Sequence, residues 1–339
     1  MPDPHDSTPP SDARRATWLR TSALAWTLLA AALLLFLFLG DVPERTMFWD
    51  ALFDLGHVPL FGLLTIAVLR LIRIRRPLMP PVAAWWTAFL VAIATGVATE
   101  LIQFLQPNRE PSFTDLARDA AGAAAFLLVA AALPNVGGGA TPVRTRRGRF
   151  AAIVLAVTLV AVAGSELAGV VAVLTARHRA MPTLAAFDGS WWERRLIEAG
   201  GGSVLTPGVR PGHVAPDFRE PLARLELKAG TYPGITIREP YPDWRGYHRL
   251  VVTIVSELDS PLPLTIRVHD RWHDQRMADR FNRSLTVAPG VNHLVIPLEA
   301  IRQAPDRREM DMSAIRGIII FGYRLESPVR VFIGPVRLE

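Results

Sequence analysis

The constraint that weighs most on this 339-residue chain is a change of hydrophobic period near its middle. Five apolar stretches, residues 17–39, 55–72, 82–105, 115–133 and 150–174, occupy its first half. Each is close to the roughly 20 residues that a helix needs to cross the hydrocarbon of a bilayer. From Leu184 onward the apolar residues alternate instead: Leu222, Leu225 and Leu227; Leu250, Val252 and Ile254; Leu264, Ile266 and Val268; Leu294 and Ile296; Ile318 and Ile320; Val329, Val331 and Ile333. Short alternating runs broken by Pro, Gly, Asp and Asn predict an antiparallel β-sandwich. The expected fold is therefore a multidomain membrane protein, an α-helical transmembrane bundle of five spans followed by an all-β sandwich.

Arginine sets the expected orientation. Arg14, Arg15 and Arg20 precede the first stretch, Arg70, Arg73, Arg75 and Arg76 follow the second, and Arg144, Arg146, Arg147 and Arg149 precede the fifth. The positive-inside rule makes these flanks cytoplasmic, so the N-terminus is expected inside and the C-terminal half outside. The first stretch reads as an uncleaved anchor, because no small-residue cleavage site follows Gly40 and further spans come later. The net charge of +6 is explained mostly by the same flanks and gives no reason to expect nucleic acid as a partner. No cysteine is present, which removes disulfides and thiolate metal sites. The predicted organisation is a disordered cytoplasmic tail (1–16), a four-helix membrane domain (17–133), a Gly- and Arg-rich cytoplasmic loop (134–149), a fifth transmembrane helix (150–174), a linker (175–183) and the β domain (184–339).

Polar residues gather at one end of three stretches. Because successive spans run in opposite directions, the outer ends of the second, third and fourth hold Asp54 and His57, then Glu100 and Gln103, then Asp115, Arg118 and Asp119, with Arg109 in the short external loop between. A carboxylate within a membrane helix costs roughly 2.5 to 3.5 kcal/mol even on a mild scale, so it needs a partner or a role. Three readings are open at this level. Arg109 and Arg118 can grip a phosphate or carboxylate of an amphiphile while Glu100, Gln103 and Asp115 accept from its hydroxyls. Alternatively His57, Glu100 and Asp115 are catalytic candidates, with His57 or Glu100 as general base and Asp115 or Asp119 orienting it or holding a divalent ion, acting on an ester or phosphate. Or the same groups form an ion-pair network that fixes helix packing. Glu166, within the fifth stretch, either joins this cluster or pairs locally with Ser165.

The ordered set His57, Phe61, Gly62-Leu63, Glu100-x-x-Gln103, Pro107-x-Arg109, Ser112-x-x-Asp115 and Asp119-x-x-Gly122 resembles the VanZ-like membrane proteins over roughly residues 50–133. Two departures stand out: the lysine often found just before the histidine is absent, and Asp119 replaces the usual asparagine. The resemblance implies a bacterial cytoplasmic-membrane protein associated with the cell envelope or with resistance to glycopeptide antibiotics. It implies no particular reaction.

In the β domain, the segments 244–250, 266–270, 281–283, 290–293, 296–298 and 332–338 resemble jelly-roll domains of the carbohydrate-binding, galactose-binding-like type. That resemblance implies glycan recognition by aromatic stacking with polar contacts. The carbohydrate-binding candidates are Trp191, Trp192 and Trp272 with Arg267, Asp270 and Asn282; Tyr241, His273 and Asp274 are further candidates, whereas Trp244 and Phe281 are expected in the core. Asp270, His273 and Asp274 are also a candidate metal set, and no cofactor is expected. The expected function is binding of an amphiphilic or lipid-linked glycan at the outward-facing polar site, with a carbohydrate-binding external domain. The expected partners are the lipid bilayer and a cell-envelope glycan or lipid-linked saccharide. The rival is a membrane-embedded hydrolase or transferase acting on envelope lipid-linked substrates.

Overall fold

Helix caps are written into the sequence of the first half. The computed structural model describes residues 12–39, 45–104, 112–133, 143–212 and 218–339 and divides into two units, Met1–Val170 and Val171–Glu339. Its helices are α1 (Asp12–Leu39), α2 (Met47–Arg75), α3 (Pro81–Phe104), α4 (Phe113–Ala132), α5 (Arg146–Ala163) and α6 (Ser165–Arg179). The hydroxyls of Thr46, Ser112 and Thr145 accept from the backbone N–H groups of Trp49, Asp115 and Gly148, satisfying donors that the first turn of a helix leaves unpaired. Helices α2 and α4 approach closely because glycines line the contact. A Cβ at Gly122 would lie 2.2 Å from the Val58 carbonyl oxygen, and one at Gly62 would meet the Phe126 ring.

Two corrections to the expected five spans follow. Among the described residues only α2 and the segment Pro81–Ile102 of α3 are long and apolar enough to cross a membrane, or three spans if the α5–α6 pair counts as one. The described apolar part of α1, Ser22–Leu35, is too short, and α4 carries Asp115, Arg118 and Asp119 within its 20 residues. The fifth stretch is also not one straight helix. It breaks at Gly164, with a bend of 47°, and Glu166 falls in the first turn of α6, where a carboxylate is favoured by the helix dipole. Ser165 turns its hydroxyl back to the Val162 carbonyl.

The second unit is an antiparallel β-sandwich. Its strands are β1 (Thr183–Ala185), β2 (Ile197–Gly200), β3 (Val204–Pro207), β4 (Ala223–Leu227), β5 (Gly234–Arg238), β6 (Arg249–Ser256), β7 (Leu262–Asp270), β8 (Phe281–Val287), β9 (Gly290–Pro297), β10 (Ile315–Phe321) and β11 (Val329–Leu338), with short helices α7 (Glu193–Leu196) and α8 (Leu298–Arg302). One sheet runs β3-β4-β11-β6-β9, with β1 also paired to β11; the other runs β2-β5-β10-β7-β8. The alternating residues read from sequence fill the space between them: Leu225, Leu250, Ile254, Ile266, Val268, Ile318, Ile320, Val331 and Ile333 form one buried core. Trp244 and Phe281 are core as expected, and Trp244 donates its indole N–H to the Tyr241 carbonyl at 2.8 Å. Leu222 departs from the run assigned to it. It lies outside β4 and packs with Val255 and Phe332 in a separate small cluster.

Candidate functional site

In the five-stranded sheet, Ile235, Ile237, Ile318, Ile320, Ile266 and Val268 point into the core, so the residues between them face outward. Cross-strand register arranges these outward positions in rows. Gly234, Phe321, Thr265 and Ser284 form one; Thr236, Ile319, Arg267 and Asn282 the next; Arg238, Gly317 and His269 the third. Successive rows lie about 7 Å apart along the strands. Arg280, just ahead of β8, stands one step beyond the Val268–Phe281 pair and so adjoins His269.

Polar groups on this face lack partners. Arg267 donates from Nη2 to His273 Nε2 at 3.0 Å, while His273 Nδ1 lies 3.0 Å from the Asp279 carbonyl oxygen. A carbonyl only accepts, so His273 donates from Nδ1 and receives the Arg267 N–H at Nε2. The buried Nε of Arg267, Nε of Arg280, Nδ1 of His269 and Oδ1 of Asn282 have no hydrogen-bond partner. Burial pushes the His269 imidazole down to about 4, with Arg267 and His273 adding to the effect. Arg267 is likewise held below its ordinary value by burial and then by Arg280.

Aromatic residues close one end of the face. Phe321 meets Tyr232 edge-on at 5.6 Å, Tyr232 lies 5.5 Å from Tyr323, and the Arg324 guanidinium sits over the Tyr323 ring. Tyr232 and Tyr323 are 61% and 51% exposed, although neither is in a membrane-like apolar stretch. Such rings are large, amphipathic contact surfaces. These three aromatics, with His269 and Arg280, were not among the candidates read from sequence.

Other sequence candidates fall elsewhere. Trp272 is 59% exposed, is covered on one side by the Arg271 guanidinium at 4.2 Å and donates to Asp311 Oδ2 at 3.3 Å. Trp191, also exposed, and Trp192, half-buried, precede Glu193 and Arg194, which line a cavity of ≈ 510 Å³ with Phe187 and Leu205. They belong to the segment ahead of β2, outside the sheet that carries Arg267 and Asn282. Asp270 is not a saccharide or metal ligand in this arrangement. Its carboxylate is buried and accepts from Arg308 at 2.5 and 2.8 Å and from the Asp311 and Trp272 backbone N–H groups. The residues close enough to share an ion are instead His273, Asp274 and Asp279. Both ring nitrogens of His273 are already engaged and Asp279 is held by Arg308 at 2.7 and 3.1 Å, so these residues do not fit a metal.

In the helical unit, the structure brings together most of the polar residues expected to converge. His57 Nδ1 is 2.8 Å from Asp119 Oδ1, and Arg118 Nη1 is 2.6 Å from Asp115 Oδ1 and 3.1 Å from Asp54 Oδ2. Glu100, buried, accepts from the Ser112 backbone N–H at 2.8 Å, tying the end of α3 to the start of α4. The second Asp119 oxygen is buried without a partner, and a Cβ at Gly96 would stand 2.7 Å from it. Arg109 and the side chain of Gln103 lie outside the described residues.

No protein-family model matches the chain and no curated protein matches it, so the VanZ-like resemblance rests on its motif residues alone. Among solved structures, the chain is similar to a family 11 carbohydrate-binding module from Clostridium thermocellum in complex with a β-1,3-1,4-mixed-linked tetrasaccharide, at 16% identity and a TM-score of 0.34, covering 46% of this chain and 93% of that one. It is also similar to CBM28, a non-crystalline cellulose-specific carbohydrate-binding module, at 14% identity and a TM-score of 0.32, covering 47% of this chain and 93% of that one. An exo-β-agarase is similar at 16% identity and a TM-score of 0.36, covering 46% of this chain and 24% of that one. These likenesses concern the β-sandwich, whose fold rests on its own sheet order, and at such scores they carry no argument about ligand or chemistry.

Proposed function

We propose that this protein is a membrane-anchored saccharide-binding protein whose β unit binds a cell-envelope glycan on the outward face of its five-stranded sheet. The observation that carries this reading is the register that sets Phe321, in ring contact with the exposed Tyr232, itself beside the exposed Tyr323, on the same face as Arg267, His269 and Asn282, each with a buried polar atom that lacks a partner. Aromatic faces stack on the apolar faces of sugar rings, and unpartnered donors and acceptors offer hydrogen bonds to hydroxyls without first losing internal ones. Anchoring is supported by apolar side chains exposed in the helical unit, among them Leu24, Leu28, Trp86, Leu90, Leu101 and Val157. An apolar surface of that extent suits lipid rather than water.

The finer reading adds the VanZ-like resemblance. The cluster His57, Glu100, Asp115, Arg118 and Asp119 then faces outward in the cytoplasmic membrane and engages an amphiphilic or lipid-linked glycan, with the N-terminus inside and the β unit outside. A second reading, a membrane-embedded hydrolase or transferase, is favoured by one contact: His57 and Asp119 have the imidazole–carboxylate arrangement that orients a general base.

The full chain in phosphatidylcholine nanodiscs, applied to an array of envelope glycans, tests the saccharide reading. Binding that weakens at least tenfold in Tyr232→Ala and Tyr323→Ala supports it, and a wild type that binds no glycan sinks it. Turnover of a lipid-linked substrate, lost in His57→Ala, would select the enzyme reading. Unchanged antibiotic susceptibility of cells carrying Glu100→Gln or Asp119→Ala would reject the resistance role.

A further inference from the structure

We propose that the saccharide taken by this sheet face is acidic, its carboxylate held between Arg267 and Arg280 with a neighbouring hydroxyl given to Asn282. This inference rests on the saccharide reading of the face and names the substrate class. By the β7–β8 register Arg280 stands beside His269, one row along the same face from Arg267, and among the described residues neither arginine forms an ion pair with a carboxylate. Among the described residues, the Arg267 side chain hydrogen-bonds to His273 alone. The neighbouring carboxylates are committed elsewhere: Asp270, buried, and Asp279 are both in the grip of Arg308, and Asp274 pairs with Arg276.

Two adjacent cations without a counterion, each with a buried Nε–H lacking an acceptor, are a site short of one oxyanion. His269 adds a ring nitrogen without a partner at the same place. The unpartnered Oδ1 of Asn282 is an acceptor beside the donors, which matches the hydroxyl carried next to the carboxylate of a sugar acid. Ser284 and Thr286 continue the hydroxyl-bearing edge along β8.

The test uses the full chain in phosphatidylcholine nanodiscs and calorimetric titration. Short oligomers of galacturonate, of mannuronate and of alternating glucuronate and N-acetylglucosamine are each compared with their uncharged methyl esters, and inorganic phosphate is titrated separately. The expected result is at least one acid form bound tenfold or more tighter than its ester. Arg267→Gln and Arg280→Gln should each erase that preference while ester binding persists. Equal affinity for acids and esters, or a preference that survives both substitutions, overturns the inference and leaves the saccharide reading standing. Binding of phosphate but no preference for any acid assigns the pair to a phosphorylated ligand and also overturns it. If neither acids nor esters bind the wild type, the saccharide reading itself fails and the inference fails with it.

Discussion

The imidazole of His269 lies across Gly317 on the neighbouring strand: a Cβ at position 317 would stand 2.5 Å from the ring's Cε1 and 3.0 Å from Nε2. Glycine is thus required for the ring's position rather than for backbone freedom. Gly317→Ala should force the ring aside, weaken saccharide binding at least tenfold and cost about 1 to 3 kcal/mol of overpacking. Adding His269→Ala should recover most of that stability without recovering binding, because the two changes share one contact. Denaturation midpoints and glycan titrations of the single and double variants check this. Additive stability losses would show that the contact is not the cause.

The same histidine predicts an acid-sensitive fold. Its pKa in the folded chain is about 4, against roughly 6.5 unfolded, because burial and then Arg267 and His273 oppose the imidazolium while Asp270 favours it only weakly. Above pH about 6.5 both states are neutral and its contribution is complete. Between about 6.5 and 4 the unfolded chain takes up a proton that the folded one refuses, so stability falls as pH falls, by at most about 3 kcal/mol. Denaturation of wild type and His269→Gln from pH 8 to 4 isolates this contribution from that of the carboxylates. Parallel pH profiles would remove it.

Arg308 should be the most sensitive surface-lying residue of the β unit. It spans Asp270 and Asp279, and without it Asp270 is a buried carboxylate left with only backbone donors. Arg308→Met is expected to cost about 3 kcal/mol. Asp270→Asn combined with Arg308→Met should cost less than the sum of the two single changes. Urea denaturation of the three variants reads both expectations, and additivity would show that the pair is not coupled.

What the sequence made legible follows from how far apart the determining residues are. Strands β6 and β7 were readable because their inward residues alternate locally, as in Leu250, Val252 and Ile254. Strand β5 escaped because only Ile235 and Ile237 mark its inward face within five residues. The aromatic and basic face escaped for a different reason. Tyr232 and Tyr323, or His269 and Gly317, meet only once the order β5-β10-β7 is known, and no local pattern encodes that order. The helical cluster was more accessible, since alternating span direction alone places the polar residues of α2, α3 and α4 at one end. The break at Gly164 was not, because an apolar run on both sides conceals it.

The glycines of α2 and α4 give the sharpest test of the helical unit. Gly122 faces the backbone of α2, where a Cβ would sit 2.2 Å from Val58 O and 2.8 Å from Val58 Cα, so an added methyl can be accommodated only by separating the helices. Gly56, one residue before His57 on α2, has open space where its Cβ would be. Gly56→Ala should therefore be neutral or stabilising by up to about 1 kcal/mol from helix propensity. Gly122→Ala should destabilise by about 1 to 3 kcal/mol despite the same propensity gain, because overpacking against backbone cannot relax through a rotamer. It should also loosen the His57–Asp119 contact, since Asp119 lies one turn ahead of Gly122 on α4. Thermal unfolding of both variants in one detergent, with the histidine ring signals followed by NMR, reads stability and contact together. Equal melting temperatures for the two would mean that α2 and α4 do not pack through Gly122.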